Sequence, residues 1–319
     1  MSNQIYSVQL IIVSLDIAGQ RIDNFLFTQL KGVPKSMIYR ILRQGLVRVN
    51  KKRVRPKYKL INRDSIRVPR IRMEPKDRGL SSDKIDQVKI LLVEKSIIYE
   101  DEYILILNKP AGIAVHGGSG LSFGLIEILR ASRPKEYFLE LVHRLDRCTS
   151  GLLLVAKKRS SLRDLHEQLR EKRIKKYYLA LVKGQWPLGA TMVNGPLLNN
   201  FRREGQRTSR VCKEGKISKT LFKVQEFYAQ KATLIQVRPI TGRMHQIRVH
   251  ACHIGHPVAL DNLYGDSVFN EYVKGLGLKR LFLHASTLYF THPNTRKVMR
   301  IEAPIDRKLE DFLMILRQL

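Results

Sequence analysis

The sequence predicts an α+β fold built in two unequal parts. Three observations carry that prediction. Helical and strand-like patterns interleave along the chain without a regular βαβ beat, and no internal repeat recurs. Positive charge is packed into one early segment: residues 31–78 hold 17 Lys+Arg against 3 Asp+Glu, whereas the whole chain holds 58 against 28. A polar stretch over 74–89, with Pro75, Gly79, Ser81 and Ser82, separates that segment from a denser pattern beginning near Ile90. The expected domains are therefore residues 1–73, a linker over 74–89, and residues 90–319.

In the first part, residues 8–17 read as a strand. Ile22, Phe25, Leu26 and Leu30 follow helical spacing, which Gly32 and Pro34 end. Ser36 is a candidate cap for a second helix carrying Met37, Ile38, Ile41 and Leu42, closed by Gly45. Val47 to Val49 alternates as a short strand, Asn50-Lys51 suits a turn, and Ile66 and Val68 alternate likewise. In the second part, Ile104–Leu107 and Leu152–Ala156 read as buried strands. Ser161–Lys172 reads as a helix with Leu162, Leu165 and Leu169 on one side. Tyr178–Val182, Ala232–Val237 and Leu281–Leu283 read as further strands.

Composition bounds the function. A chain of 319 residues, 44% hydrophobic, can bury a sizeable core. Its formal net charge of +30 opposes compaction unless a polyanion offsets it. Nucleic acid is the commonest such partner and an anionic membrane the rival. Lys35, Arg40 and Arg43 on or beside the second helix, then Lys51, Lys52 and Arg53 in the following strand and loop, are the candidate phosphate contacts. Cys148, Cys212 and Cys252 form no CxxC pair and are odd in number, which fits free thiols in a reducing cytoplasm. No apolar run approaches the roughly 20 residues of a membrane helix. Val8–Val13 is short and contains Gln9, so it reads as a strand rather than a signal peptide. The expectation is a soluble, cytoplasmic protein. No heptad or long apolar stripe signals assembly, which leaves a monomer as the default.

Four segments carry candidate chemistry. In His143–Gly151, Asp146 sits among Arg144, Arg147, Thr149 and Ser150, before an apolar strand. Neighbouring cations and hydroxyls favour an ionised carboxylate, placed to act as nucleophile or base. A structural turn aspartate pairing with its own arginines is the stronger reading of the local sequence alone. In Pro239–His256, Arg243 and Arg248 could meet a phosphate or carboxylate bidentately. His245, His250, His253 and His256 lack HExxH spacing and a nearby Cys pair or acidic ligand, so RNA contacts and core hydrogen bonds are expected there rather than a metal. His116-Gly117-Gly118-Ser119-Gly120 lacks both GxGxxG spacing and a GK[ST] ending; it is either a loop closing over RNA backbone or a plain turn. Lys176-Tyr177-Tyr178 puts aromatics at a strand start, for base stacking or for the core.

Together these segments are far more specific than any one alone. HRLDRCTSGLLLVAKK resembles the signature of the RluA-type pseudouridine synthases. NKPAGIAVHGGSG before it, then KKYYLALVKG and TGRMHQIRVHACHIGHPVALDNLYG after it, match that family's pattern in the family's order. The resemblance covers essentially the whole chain. RIDNFL, GLVRVNKKRV and RDSIRV resemble the alpha-L RNA-binding domain. VHGGSGLSFG and FLHASTLYFTHP are most like the branch that modifies several uridines of 23S ribosomal RNA.

The resemblance implies a pseudouridine synthase catalytic fold, a mixed, largely antiparallel sheet flanked by helices and loops, behind a small α+β RNA-binding domain. It implies that Asp146 is the catalytic aspartate and that Arg144 inserts where the target base leaves the stack. It implies that Tyr178 stacks on the flipped uracil and is a candidate for proton abstraction, that Ile247 lines the base pocket, and that Arg248 pairs with the catalytic carboxylate. Lys176 falls at a recurrent lysine position. Cys148 departs from the acidic residue common in relatives, outside the catalytic set. The implied reaction isomerises uridine and needs no cofactor or metal; the implied partner is 23S ribosomal RNA. Two alternatives are a non-catalytic RNA-binding assembly factor and the same chemistry on other ribosomal or transfer RNA uridines. The presence of Asp146, Tyr178 and Arg248 together favours activity over the first.

Overall fold

The computed structural model describes residues 5–6, 8–15, 17–30, 33–72, 87–117, 123–136, 138–203 and 206–319. Contacts divide the chain into two compact units, Met1–Lys84 and Ile85–Leu319. Most of the expected linker and residues 118–120 of the glycine-rich loop lie outside the described residues.

The first unit runs β1 (Ile5–Tyr6), β2 (Gln9–Ile12), α1 (Ile22–Gln29), α2 (Lys35–Arg43), β3 (Arg48–Val49), β4 (Lys52–Arg53), β5 (Ser65–Val68) and β6 (Ile71–Arg72). Four strands form an antiparallel sheet in the order β2–β5–β3–β4, and β1 pairs with β6. The helical periodicity places Ile22, Phe25, Leu26 and Leu30 in one core with Ile38, Ile41, Leu42, Val49, Ile66 and Val68. Each such side chain contributes about 1.5–3 kcal/mol on burial. Ser36 does not cap α2: the helix starts at Lys35 behind Pro34, whose fixed φ already suits a helix entry. Gly45, at φ +69, ends it in the left-handed conformation that a β-carbon disfavours. Asn50 and Lys51 are both left-handed, the turn that matches the twist of a two-residue hairpin. The buried Asp64 anchors that turn. Its carboxylate accepts from Asn50 Nδ2 at 2.7 Å, the Tyr58 hydroxyl at 3.0 Å and the Ile61 N–H at 2.8 Å.

The second unit runs α3 (Gln87–Lys95), β7 (Ile97–Glu100), β8 (Ile104–Lys109), α4 (Leu125–Ser132), β9 (Glu140–Leu141), β10 (Ser150–Ala156), α5 (Arg159–Arg170) and β11 (Lys175–Lys183). It continues with β12 (Ala190–Asn194), β13 (Leu197–Arg203), β14 (Gln206–Val211), β15 (Lys219–Tyr228), β16 (Ala232–Pro239), α6 (Gln246–His253), α7 (Ser267–Gly275), β17 (Leu283–Thr291), β18 (Val298–Glu302) and α8 (Arg307–Arg317). Its main sheet has ten strands along the path β12–β15–β16–β11–β17–β10–β8–β7, with β18 beside β17 and β9 beside β10. Every pairing is antiparallel except β10 with β17, where Ser150 and Gly151 face His284 and Ala285. The sheet is thus mixed and largely antiparallel. β10 is buried at every position, which its unbroken apolar run requires. The expected strand at Leu281 begins two residues later, at Leu283.

The β10–β17 junction fixes the turn before β10. Gly151 has φ +107, and a β-carbon there would lie 2.3 Å from the Ala285 carbonyl oxygen. Only glycine allows the two strands to meet so closely. Among the described residues no helix is long and apolar enough to cross a membrane.

Candidate active site

A cleft of about 800 Å³ opens in the second unit. Its walls are the Val142–Thr149 turn entering β10, the start of β11, the loop leaving β16, and the first turn of α6. Arg144, Asp146, Tyr178, Ile247 and Arg248, all singled out in the sequence, line it together.

Asp146 sits on a turn closed by the Thr149 N–H donating to its carbonyl at 3.1 Å. Lys109 braces the turn from below. Its buried ammonium donates to the carbonyls of Pro110 (2.8 Å), Ile113 (3.0 Å) and Arg147 (3.3 Å). Burial pushes that ammonium down to about 8. Two of the neighbours expected to partner Asp146, Arg147 and Ser150, are engaged elsewhere. Arg147 Nε donates to the Gly112 carbonyl at 3.0 Å, and Ser150 Oγ lies 2.9 Å from His284 Nδ1. Arg144 is exposed at the cleft.

The cations facing Asp146 come from α6 and its entry instead. Its Oδ2 lies 3.8 Å from Arg248 Nη1 and 3.8 Å from His245 Nε2. The Asp146 side chain is 33% exposed, so a ligand in the cleft can reach it. Arg248 is itself buried and held bidentately by Asp261, Nε to Oδ2 and Nη2 to Oδ1, both at 2.7 Å. Burial works against its charge, but the Asp261 hydrogen bonds and charge outweigh it and hold Arg248 above its ordinary value. Asp261 also accepts from the backbone N–H groups of Leu263 and Tyr264. The Tyr264 ring lies under the Arg248 guanidinium, 5.1 Å from its centroid. Gln246 fixes the loop before the helix. Its Oε1 accepts from Thr241 Oγ1 and the Arg243 N–H, and its Nε2 donates to the Lys219 carbonyl. Arg243 is exposed and does not join this cluster.

Tyr178 and Ile247 supply apolar wall; both are 7% exposed. Burial, reinforced by the Asp146 charge, raises the Tyr178 hydroxyl well above the ordinary tyrosine value, so it stays neutral. Burial likewise lowers the Lys176 ammonium. His143 is pushed down to about 3 by burial and by Lys176; its Nε2 accepts from the Leu154 N–H at 3.3 Å.

Asp261 and Tyr264 were not singled out in the sequence. One signal could have found Asp261: a buried arginine needs a buried carboxylate. The four histidines of Pro239–His256 do not converge. His250 meets Thr220 and Gly195, His256 meets the Lys183 carbonyl, His253 is exposed, and only His245 faces Asp146. Among the described residues no cluster of three or more His, Cys, Asp or Glu could hold a metal.

In the first unit, Arg40, Arg43, Lys51, Lys52 and Arg53 are exposed, and none forms an ion pair among the described residues. The Arg53 guanidinium donates to the Arg43 carbonyl at the end of α2, which ties the hairpin to the helix. Lys35 opens α2; its side chain lies outside the described residues.

Residues 103–253 match the family model described as RNA pseudouridylate synthase, and residues 20–60 match that of the S4 domain. The chain is 59% identical over 99% of its length, and 99% of the relative's, to the Ribosomal large subunit pseudouridine synthase C of Salmonella typhi. It is 58% identical, at the same coverage, to the protein of that name from Escherichia coli strain K12. A solved structure named Human RNA Pseudouridylate Synthase Domain Containing 1 superposes with a TM-score of 0.55 at 26% identity, over 70% of this chain and 95% of that one.

Proposed function

The chain belongs to the RNA pseudouridylate synthase family, and on that footing we propose that it isomerises several uridines of the 23S RNA of the large ribosomal subunit, with Asp146 as the catalytic carboxylate. One observation carries the assignment of the site: a reachable carboxylate, flanked on one oxygen by Arg248 and His245, in a cleft walled by Tyr178 and Ile247.

The reaction breaks the bond from uracil N1 to the ribose anomeric carbon and joins C5 to that carbon instead. The proton leaves C5 and N1 gains one, so neither redox change nor external group transfer is involved. Asp146 makes the first move, on the anomeric carbon or on the ribose 2′ hydrogen; both need the same ionised oxygen beside the sugar. Arg248 balances that charge and is itself locked by Asp261, so it does not reorganise during the reaction. The target base must leave its stack to enter the cleft, at a cost of a few kcal/mol. Arg144, exposed at the cleft, fills the place the base vacates. Tyr178 and Ile247 receive the uracil, Tyr178 as a neutral ring that stacks on it. The S4-like unit supplies the phosphate-binding face, through Arg40, Arg43, Lys51 and Lys52, with Lys35 and Arg53 beside them. The site of action is the cytoplasm, where the ribosome is built.

Chemical mapping of pseudouridine across ribosomal RNA from cells lacking the protein tests this. Several 23S positions should lose the modification and regain it when the gene is returned. Intact 23S positions, or losses confined to transfer RNA, would contradict it.

A further inference from the structure

Among the described residues His245 is the one histidine within 4 Å of the Asp146 carboxylate, and it lines the same cleft. It sits at the entry to α6 with φ 54 and ψ 20, a left-handed conformation that a β-carbon disfavours and that persists only where the surroundings impose it. Its side chain is 13% exposed. Nδ1 lies 2.9 Å from the Tyr264 hydroxyl, and the two rings meet edge-on. That hydroxyl already accepts from the Ser209 N–H at 2.9 Å. The hydroxyl's own proton has no acceptor among the described residues other than His245 Nδ1; donated there, it leaves the neutral imidazole with its proton on Nε2. Nε2 points toward Asp146 Oδ2, 3.8 Å away, on the same oxygen that Arg248 Nη1 faces at 3.8 Å. Tyr264 thus touches both groups: its hydroxyl meets the ring of one and its own ring lies beneath the guanidinium of the other.

We propose that His245 is a positioning residue for the reaction: with its proton fixed on Nε2 by Tyr264, it and Arg248 hold the Oδ2 edge of Asp146 and leave Oδ1 as the oxygen that meets the ribose. The inference rests on the assignment of Asp146 as the catalytic carboxylate. The gap of 3.8 Å exceeds a hydrogen bond. It closes when substrate fills the cleft, as active-site hydrogen bonds commonly do. The role belongs to turnover rather than to RNA affinity, because His245 acts through Asp146 and not on the RNA.

The test measures kcat and KM on a ribosomal RNA transcript carrying 5-tritiated uridine, with Asp146→Asn run in parallel. His245→Phe keeps the ring volume and removes the donor; kcat should fall by about 10²-fold with KM unchanged. His245→Gln restores an N–H donor and should recover most of that loss. Tyr264→Phe keeps the ring beneath Arg248 and frees the tautomer; it should lower kcat less than His245→Phe does. Full kcat in His245→Phe, or a loss seen in KM or thermal stability that His245→Gln does not relieve, would overturn the proposal. If Asp146→Asn turns over, the assignment of the carboxylate itself fails. If Asp146→Asn is silent while His245→Phe runs at full rate, only the positioning role fails.

Discussion

Arg248 faces two carboxylates that differ in setting. Asp261 meets it at 2.7 Å through two hydrogen bonds, while Asp146 stands off at 3.8 Å and stays open to the cleft. Leaving one charge of such a buried pair unpartnered costs about 3–5 kcal/mol, so the pair fixes Arg248 in place beside Asp146. Burial also shapes the histidines. His143, His245, His250 and His284 are all lowered by it, His143 to about 3. The unfolded chain takes up their protons near pH 6.5 and the folded chain only at lower pH. Stability therefore rises with pH through that window and is lost as pH falls through it. Between pH 7.5 and 5.5, His143 alone, held at about 3, should remove about 1.4 kcal/mol. Urea unfolding should show a lower midpoint at pH 5.5 than at pH 7.5; equal midpoints would contradict the buried, neutral histidines. Asp146, Tyr178 and Arg248, which line one cleft, were singled out in the sequence through the family resemblance, since local context alone read Asp146 as a structural turn residue. Asp261 was not, because the chain folds back over α6 to bring it to Arg248 across a separation of 13 residues.

Among the elements, short-range chemistry was the most readable. Asn50-Lys51 forms the hairpin turn between β3 and β4 because Asn tolerates the left-handed conformation that the turn needs. The apolar run at Leu152–Ala156 lies in a buried strand as its composition requires. The parallel β10–β17 junction was not readable, since it joins segments about 130 residues apart and depends on the missing side chain at Gly151. Ser36 misled because Pro34 supplies the helix entry two residues earlier. The same hairpin presents Lys51 and Lys52 without acidic partners among the described residues. Replacing both with Gln should weaken binding to ribosomal RNA and reduce the slope of log affinity against log salt by about 0.7–0.9 for each phosphate no longer neutralised. Turnover at saturating RNA should be unchanged. An unaltered affinity and salt slope would show that the hairpin does not meet phosphate.

Across the whole molecule, charge and chemistry fall in separate units. The +30 balance is densest around the first unit, and the candidate catalytic side chains all lie in the second. This division was legible from composition, because like charges crowd one segment and a polar stretch follows it. The architecture of the second unit was legible only as a class, because its ten-strand order arises from pairings distant in sequence. Family membership makes the chain a ribosomal RNA pseudouridine synthase carrying an S4 unit, and the proposal places its turnover at Asp146. Asp146→Asn tests that account most directly, since it preserves the side chain's shape and removes its charge. Assayed by tritium release from 5-tritiated uridine in ribosomal RNA, with RNA affinity measured alongside, the variant should form no pseudouridine while binding RNA as the unaltered protein does. Appreciable tritium release by the variant would contradict the account.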